Sequence, residues 1–429
     1  MTGDSARPST SPLRVLGHRN FALLWSGSLA SSLGSSIGYV VVIWLVYTAT
    51  RSPLAIAFLG VVEFLPSILF GILGGALVDR FDRKRLMIAC DLGRFALLGS
   101  LAAYVLAFGT SVVLVLAFAF VVAALGTIFR PASSALLPKL LPATDLTDGN
   151  GILQSGSAAT NFIGSPIGGA LVVALGVFIG FALAINALTF AASAALLGLM
   201  VVPTASLRTT IEKKERPSLL ADARLGLSFI RSQSALLAFT VSALSANFFL
   251  AMYNNFEVFY VTNQLHLSVA VLGIVLATNS AGFALGGLFP GRLKTDRAPG
   301  IWFAASAGMA GLSVLVLGAT ASLWLTIPLV LAFGSFQSFA GTCLGAAQQR
   351  VVPNKIQGRF FATQEAGAFA MIPAGQIAGG FAVFVLGVGH TFVLAGAAGA
   401  VSSFALLFVP AVRRWGRLEA TSTSSERPV

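Results

Sequence analysis

Two acidic residues, Glu63 and Glu257, interrupt long apolar stretches of the sequence. An ionisable side chain inside a membrane is costly and is therefore a functional hypothesis by default. Glu63 lies near the middle of its stretch, where a carboxyl favours its neutral form and can exchange a proton near neutral pH. Glu257 lies nearer the end of its stretch and follows Asn254 and Asn255. Both are candidate proton-coupling residues. The alternatives are a structural carboxyl at Glu63 and a cation-attracting or interfacial role at Glu257.

The densest cluster of charges is GGALVDRFDRKR, residues 74–85, which separates two apolar stretches. Its six charged side chains cannot lie in hydrocarbon, so the segment ends in a short loop between two membrane helices. The excess of basic residues places that loop on the cytoplasmic side. Further charges lie in the two stretches that follow, at Asp91, Arg94 and Arg130.

These charges can act together as a gate. Asp79 and Arg83 of the loop, with Asp91, Arg94 and Arg130, are predicted to form an ion-pair network that locks the cytoplasmic side when the molecule faces outward. Such a network would have to break whenever that side opens. Charge neutralisation at the membrane edge is the simpler alternative.

The composition around these residues is that of a polytopic membrane protein. Of 429 residues, 56% are hydrophobic and 10% charged, whereas a soluble domain carries about 25% charged residues. The net charge of +12 comes from small basic clusters between apolar runs, so membrane orientation explains it better than nucleic-acid binding. The sequence contains neither a GxxxxGK[ST] phosphate loop nor an HExxH metal motif. We therefore expect no enzyme activity, no cofactor and no metal.

About twelve runs are long enough to cross a membrane, which takes roughly 20 residues each. Their predicted limits are 21–48, 53–79, 86–108, 111–137, 149–174, 177–202, 235–262, 268–291, 299–318, 322–349, 359–386 and 390–411. Glu365 then falls at the start of the eleventh span, where a carboxylate suits the positive end of a helix.

The spans and the polar segments between them divide the chain into five parts. These are a cytoplasmic N-terminal segment (1–20), a six-helix bundle (21–202), a cytoplasmic central loop with a possible amphipathic helix (203–234), a second six-helix bundle (235–411) and a disordered cytoplasmic tail (412–429).

Glycines reveal that the two bundles repeat one pattern. The double glycine at Gly168 in span five recurs 211 residues later at Gly379 in span eleven, and that at Gly74 in span two recurs 212 residues later at Gly286 in span eight. Small residues allow membrane helices to pack closely. We therefore predict that spans two, five, eight and eleven form the surfaces where the two halves meet.

Two of these segments resemble motifs of the major facilitator superfamily. The loop resembles its G-x-L-x-D-R-x-G-R-K signature through Gly75, Asp79, Arg80, Arg83 and Lys84. Asp82 replaces the second glycine, as in the macrolide-efflux and enterobactin-exporter branch of the drug:proton antiporters. Span five resembles the G-P-x-x-G-G antiporter motif, with the proline one place late, through Gly164, Pro166, Gly168 and Gly169.

The resemblance implies an all-α fold of twelve transmembrane helices in two pseudo-symmetric six-helix bundles around a central cavity. It also implies a multi-pass protein of the cell (plasma or inner) membrane that exports a drug-like or siderophore-like small molecule in exchange for protons, acting as a monomer. Uptake or uniport of a nutrient is the first alternative. A membrane sensor that transports nothing is the second, and it would need a soluble module that the sequence lacks. No residue is predicted to bind substrate.

The distribution of basic residues predicts where the ends of the chain lie. Links after even-numbered spans carry Lys or Arg, and those after odd-numbered spans carry only Arg51. Reporter tags at Met1, beside Lys213 and at Val429 are therefore expected to lie in the cytoplasm. Protease protection or alkaline phosphatase fusion checks this, and a periplasmic signal from any of the three would contradict it.

Overall fold

A computed structural model describes residues 12–201, 219–290, 293, 295 and 298–415 of the chain. Within this part, the side chains of residues 12, 71–76, 79, 219–223, 354 and 355 are not described. Twelve helices are long and apolar enough to cross a membrane, which confirms the predicted fold class. The segment predicted to be a disordered tail, 412–429, lies almost wholly outside the described residues.

The twelve membrane helices, α1 to α12, form two sets of six. The first set is Arg19–Thr50, Pro53–Arg80, Arg83–Phe108, Val112–Leu140, Leu146–Leu175 and Gly180–Gly198. The second set is Ser234–Ala251, Val269–Leu288, Pro299–Ala319, Leu323–Val351, Asn354–Leu386 and Val388–Phe404. We call the end of the bundle where α1 begins the terminal end, and the end where α1 meets α2 the opposite end.

Local sequence explains why the helices end where they do. Asp82 caps α3, because its Oδ1 accepts a hydrogen bond from the Arg85 backbone N–H at 3.0 Å. Pro53 occupies the first turn of α2, where its missing N–H costs nothing. Gly109 and Gly387 end α3 and α11 at a φ of 82°, a conformation that suits glycine.

Glycines determine how closely the two halves approach each other. Helix α5 packs on α8, and α2 on α11, as predicted. A Cβ on Gly169 of α5 would lie 3.0 Å from the Ala270 Cα, and one on Gly380 of α11 would lie 3.2 Å from the Pro53 carbonyl oxygen. The repeat offset of 211 residues relates these two glycines, so the contact between halves is itself pseudo-symmetric.

The other glycines of the repeat pack within one half. Gly168 contacts α1 at Ile37 and Val40, and Gly379 contacts the end of α7. Gly282 and Gly286 of α8 face α10 of their own half. The prediction that Gly282 and Gly286 lie between the halves was therefore wrong, although another glycine of α8, Gly273, does lie there, against Ser165 and Pro166.

Span seven differs from its predicted continuous form. Helix α7 ends at Ala251, a turn follows, and helical structure resumes over Glu257–Phe259 and a π-helical turn Tyr260–Gln264. Within the turn, Asn255 has a φ of 74°, a left-handed conformation that asparagine tolerates better than most residues. The run is apolar on both sides of the break, so hydropathy alone does not reveal it.

Helix α11 begins earlier than predicted, at Asn354 after Pro353. Glu365 therefore lies about three turns inside the helix, and the expected interaction with the helix start was wrong. The side chain is exposed. A separate surface helix, Leu219–Ser232, packs against α11, where Gly226 contacts Thr363.

Replacing Gly380 by leucine is expected to keep the halves from closing at the opposite end, because the new side chain meets the backbone of α2. The measurement is the labelling rate of a Thr262→Cys reporter by a membrane-impermeant maleimide, with Cys90 and Cys343 replaced by serine. We expect the rate to rise several-fold. Gly99→Leu is the matched control, because a Cβ there has nothing within 4 Å. Equal rates in Gly380→Leu and the parent would contradict this account of the packing.

Candidate functional site

The N-terminal half contains a polar cavity of about 630 Å³ enclosed by α1 to α5. The cavity runs from Asn150, near the terminal end, to Glu63 at the middle of α2. Hydroxyl and amide side chains dominate its wall, namely Ser28, Ser31, Ser32, Ser35, Ser67, Thr127, Ser133, Ser134, Asn150, Gln154, Ser157 and Asn161. Polar groups in a membrane helix usually face such a cavity, where water or a ligand can satisfy them.

Glu63 and Arg94 lie where this cavity meets a second pocket of about 300 Å³ deeper in the same half. Both residues line both spaces. The deeper pocket extends to Tyr39 and Asn186. A carboxyl at this junction borders polar space on one side and a largely apolar pocket on the other.

Arg94 is held by one carboxylate and two aromatic rings. Its Nη1 lies 3.4 Å from Asp91 Oδ1. Its guanidinium lies 5.3 Å from the Phe129 ring centroid and 5.2 Å from that of Phe190, within cation–π range. Arg94 is 7% exposed and Asp91 is fully buried. Among the described residues, Arg94 Nε has no hydrogen-bond partner, so the guanidinium keeps donor capacity.

The cytoplasmic loop predicted from the sequence is tied to the ends of neighbouring helices. Arg83 Nη1 donates to the Ala135 carbonyl of α4 at 3.0 Å. Lys84 Nζ donates to the Gly198 and Met200 carbonyls after α6, at 2.8 and 2.6 Å. Cationic side chains suit such helix C-termini.

The described part of the predicted ion-pair network contains the Asp91–Arg94 pair. Arg80 and Arg130 are exposed, and Arg130 lines the polar cavity. The side chains of Gly75 and Asp79 lie outside the description, although their backbone belongs to α2. A lock that forms in another state therefore stays a prediction.

A buried polar junction joins the two halves at mid-membrane depth. The Tyr39 hydroxyl of α1 donates to Asn255 Oδ1 in the break of span seven, at 2.5 Å. Glu63 lines the deeper pocket together with Tyr39. Glu257 is only 4% exposed and follows Asn255 by two residues in the same break. The break in span seven therefore holds both the amide that meets Tyr39 and the buried Glu257.

A second junction closes the opposite end. Thr262 Oγ1 donates to the Tyr47 hydroxyl, which donates to Asn263 Oδ1, both at 2.8 Å. Arg51 donates to the same hydroxyl at 2.9 Å, and the Tyr47 ring meets Phe259 edge-on. The halves are thus joined from mid-membrane to the opposite end, while the polar cavity extends toward the terminal end.

Sequence reasoning identified the carboxyls but missed their partners. Tyr39, Tyr47 and Asn255 were not selected, because a tyrosine in an apolar run carries no signal until its partner is known. Glu365 was assigned a structural role, yet it is exposed, and the repeat offset of 211 residues matches it to cavity-lining Gln154. The 211-residue offset, applied to the polar residues of both halves, is the sequence signal that relates Glu365 to a cavity-lining position.

The antiporter-like motif of α5 provides contact surfaces. Gly164 packs on Leu33 and Ser36 of α1, and Gly168 packs one turn further along. Ser165 and Pro166 back onto Gly273 of α8. This is a helix-packing role, which is compatible with a part in the movement of the halves.

Twelve spans in two repeated halves, with a polar cavity inside the first half, define a membrane transporter of the major facilitator type. Residues 10–428 match the family model described as transmembrane secretion effector. The chain belongs to that family.

Individual relatives and solved structures agree with this assignment. The chain is 24% identical over 389 residues to macrolide efflux protein A of Streptococcus pyogenes, covering 88% of this chain and 92% of the relative. It is 26% identical over 388 residues to the uncharacterized MFS-type transporter YfiS of Bacillus subtilis, covering 87% and 89%.

Two solved structures share the fold. The nucleoside transporter NupG aligns with a TM-score of 0.70 at 13% identity, covering 90% of this chain and 98% of that one. A bacterial homologue of the iron transporter ferroportin, in an inward-facing state, aligns with a TM-score of 0.66 at 15% identity, covering 95% and 100%.

The Asp91–Arg94 pair is expected to show strong coupling in stability. Asp91→Asn leaves a buried guanidinium without its counter-ion and is expected to lower stability by about 3 kcal/mol or more. Adding Arg94→Met removes that charge as well and is expected to recover most of the loss. Thermal unfolding of the purified single and double variants measures the cycle. Additive losses would show that the two side chains act separately.

Proposed function

We propose that the protein is a proton-coupled exporter of a drug-like or siderophore-like small molecule, that it works by alternating access, and that Glu63 carries the proton. In this proposal both termini and the polar cavity face the cytoplasm. The family description as a secretion effector and the likeness to macrolide efflux protein A support export over uptake.

The main observation in support of this proposal is the position of Glu63. Placing a charged acidic side chain at the centre of a membrane helix costs about 2.5 kcal/mol or more. While the polar cavity is open to water, the Glu63 carboxyl can ionise and attract a cationic ligand. When the cavity closes, the carboxyl is less costly if it is neutral. Opening and closing would therefore change its protonation, which is what coupling requires.

The contacts between the halves support alternating access. They join the halves from mid-membrane to the opposite end, at Tyr39, Tyr47, Gly169 and Gly380. Because the repeat relates the two halves, a rocking motion can exchange this arrangement for one that closes at the terminal end. The loop at Asp79 would contribute to closure in that second state. One chain supplies all these parts, which suits a monomer.

Glu257 is the alternative proton site. It is buried in the present state and does not line the polar cavity, so it is less accessible from that cavity than Glu63. Proton exchange there would require the opposite end to open. A proton would therefore reach Glu63 from the terminal end, through the polar cavity, whereas it would reach Glu257 from the opposite end.

Glu63→Gln is the direct test, because it keeps shape and hydrogen bonding while removing the titrating proton. We expect normal expression and retained ligand binding, with loss of uphill efflux driven by an imposed pH gradient. Downhill exchange is expected to continue. Uptake of a macrolide into everted membrane vesicles gives the measurement.

The matched control is Glu365→Gln, which removes an exposed carboxyl that lies three turns inside α11, whereas Glu63 is half-buried. It is expected to retain pH-driven transport. Concentrative, pH-dependent transport at the parent rate by Glu63→Gln would end the assignment, and Glu257→Gln would then be the variant to test.

Asp79→Asn tests the proposed lock. The variant is expected to insert and fold but to transport at least tenfold more slowly, because the loop's arginines would lack their anion in the state that closes the terminal end. Asp82→Asn is the comparison, since Asp82 caps α3 and its loss is expected to affect stability more than rate. Transport at the parent rate by Asp79→Asn would contradict the lock and would mean that the loop only sets the orientation in the membrane.

A further inference from the structure

The two halves contain matching pockets in the interior of each bundle. The pocket of the C-terminal half measures about 250 Å³ and lies among α7, α9, α10 and α12. Its counterpart is the deeper pocket of about 300 Å³ in the N-terminal half. An offset of 211 residues matches the lining at six positions, namely Ser35 to Ala246, Gly38 to Phe249, Tyr39 to Leu250, Val42 to Tyr253, Val122 to Phe333 and Gly126 to Gln337.

The repeat preserves the pocket but not its chemistry. Glu63 and Arg94 of the N-terminal pocket have no ionisable counterpart in the lining of the C-terminal pocket. The C-terminal pocket is walled mainly by alanines, glycines and aromatic rings, including Phe249, Tyr253, Phe303 and Phe333. Asn247, Gln337 and Ser403 contribute its few polar side chains other than the Tyr253 hydroxyl. Both pockets are largely apolar, but the N-terminal one places Glu63 and Arg94 where it meets the polar cavity, whereas the C-terminal one offers an apolar group no charge.

The two pockets approach each other at the polar junction between the halves. Tyr39 lines the N-terminal pocket and Tyr253 lines the C-terminal one. Asn255, two residues beyond Tyr253, accepts the hydrogen bond of the Tyr39 hydroxyl. A single molecule at this junction can therefore place different parts in the two halves.

We propose that the C-terminal pocket is the subsite for a compact apolar ring of the transported molecule, while the N-terminal cavity receives its hydroxyl- or amine-bearing part. The substrate class is then an amphiphile in which a ring is joined to a polar group, such as an aryl glycoside. This inference rests on the proposed transport function. A cavity of about 150 Å³ with apolar walls takes up benzene, so the volume here is ample for two fused rings.

The proposal is tested by equilibrium binding of 1-naphthyl β-glucoside and methyl β-glucoside to the protein in lipid nanodiscs. Gly341 lines the pocket, and a Cβ added there would have nothing within 4 Å, so Gly341→Phe fills the pocket without a backbone clash. Gly345→Phe is the matched control, one turn along the same helix, equally unobstructed and outside the pocket lining. Ala307→Leu reduces the pocket from α9 and serves as a second variant.

We expect the naphthyl compound to bind the parent and Gly345→Phe equally. It should bind Gly341→Phe and Ala307→Leu about tenfold more weakly or worse, since burying an aromatic ring accounts for at least that factor. The methyl compound should bind weakly to all four. Equal binding of the naphthyl compound by Gly341→Phe and Gly345→Phe would overturn the proposal. The pocket would then be interpreted as a site for a lipid chain. Failure of the parent to prefer the naphthyl compound would also overturn it.

These measurements use no gradient, so they are separate from proton coupling. Ring-dependent binding with no pH-driven efflux would contradict the proposed function and leave the subsite standing. Efflux that depends on Glu63, together with binding that does not depend on the ring, would support the proposed function and contradict the subsite.

Discussion

The close approach of the two halves at Gly169 and Gly380 is the constraint on which the rest of the structure depends. Backbone atoms of α8 and α2 occupy the space that side chains would need at these positions. Lipid offers little hydrophobic drive for helix association, so close van der Waals packing between small residues supplies much of it. The hydrogen bonds at Tyr39 and Tyr47 join α1 to span seven within the same contact between the halves.

A symmetric backbone carries an asymmetric set of charges. Both halves place a pocket among corresponding helices, yet Glu63, Arg94 and Asp91 occur in one half only. Burying these groups costs stability unless each has a partner. Asp91 and two aromatic rings stabilise Arg94, whereas Glu63 borders polar space and has the freedom to ionise. The repeat therefore gives the two halves the same shape, whereas these charged residues belong to the N-terminal half.

Much of the fold could be predicted from sequence because membrane helices are long and their hydropathy is strong. The repeat was visible because glycines tolerate few replacements at close contacts, so their spacing persists. The break in span seven was not visible, since Met252 to Phe256 is flanked by apolar residues and asparagine alone does not indicate a left-handed turn. The start of α11 was misplaced because its first turns are polar.

The candidate site was only half predictable for a related reason. Depth in a hydrophobic run identifies Glu63 and Glu257 without any structure. Their surroundings depend on partners far away in the chain, such as Tyr39 and Asn255, which are 216 residues apart. No local pattern indicates such a pair. The difference between the two pockets likewise requires knowing which residues face inward.

The central claim is that the two ends of the bundle open in alternation and that protonation biases the exchange. Pulsed electron paramagnetic resonance measures this directly, with spin labels at Val113 and Trp324 for the opposite end and at Thr144 and Gln349 for the terminal end, all of them exposed. Lowering the pH neutralises buried carboxyls and should favour the closed terminal end. The account predicts that the Thr144–Gln349 distance then shortens while the Val113–Trp324 distance lengthens. Distances that stay fixed, or that change in the same direction at both ends, would contradict it.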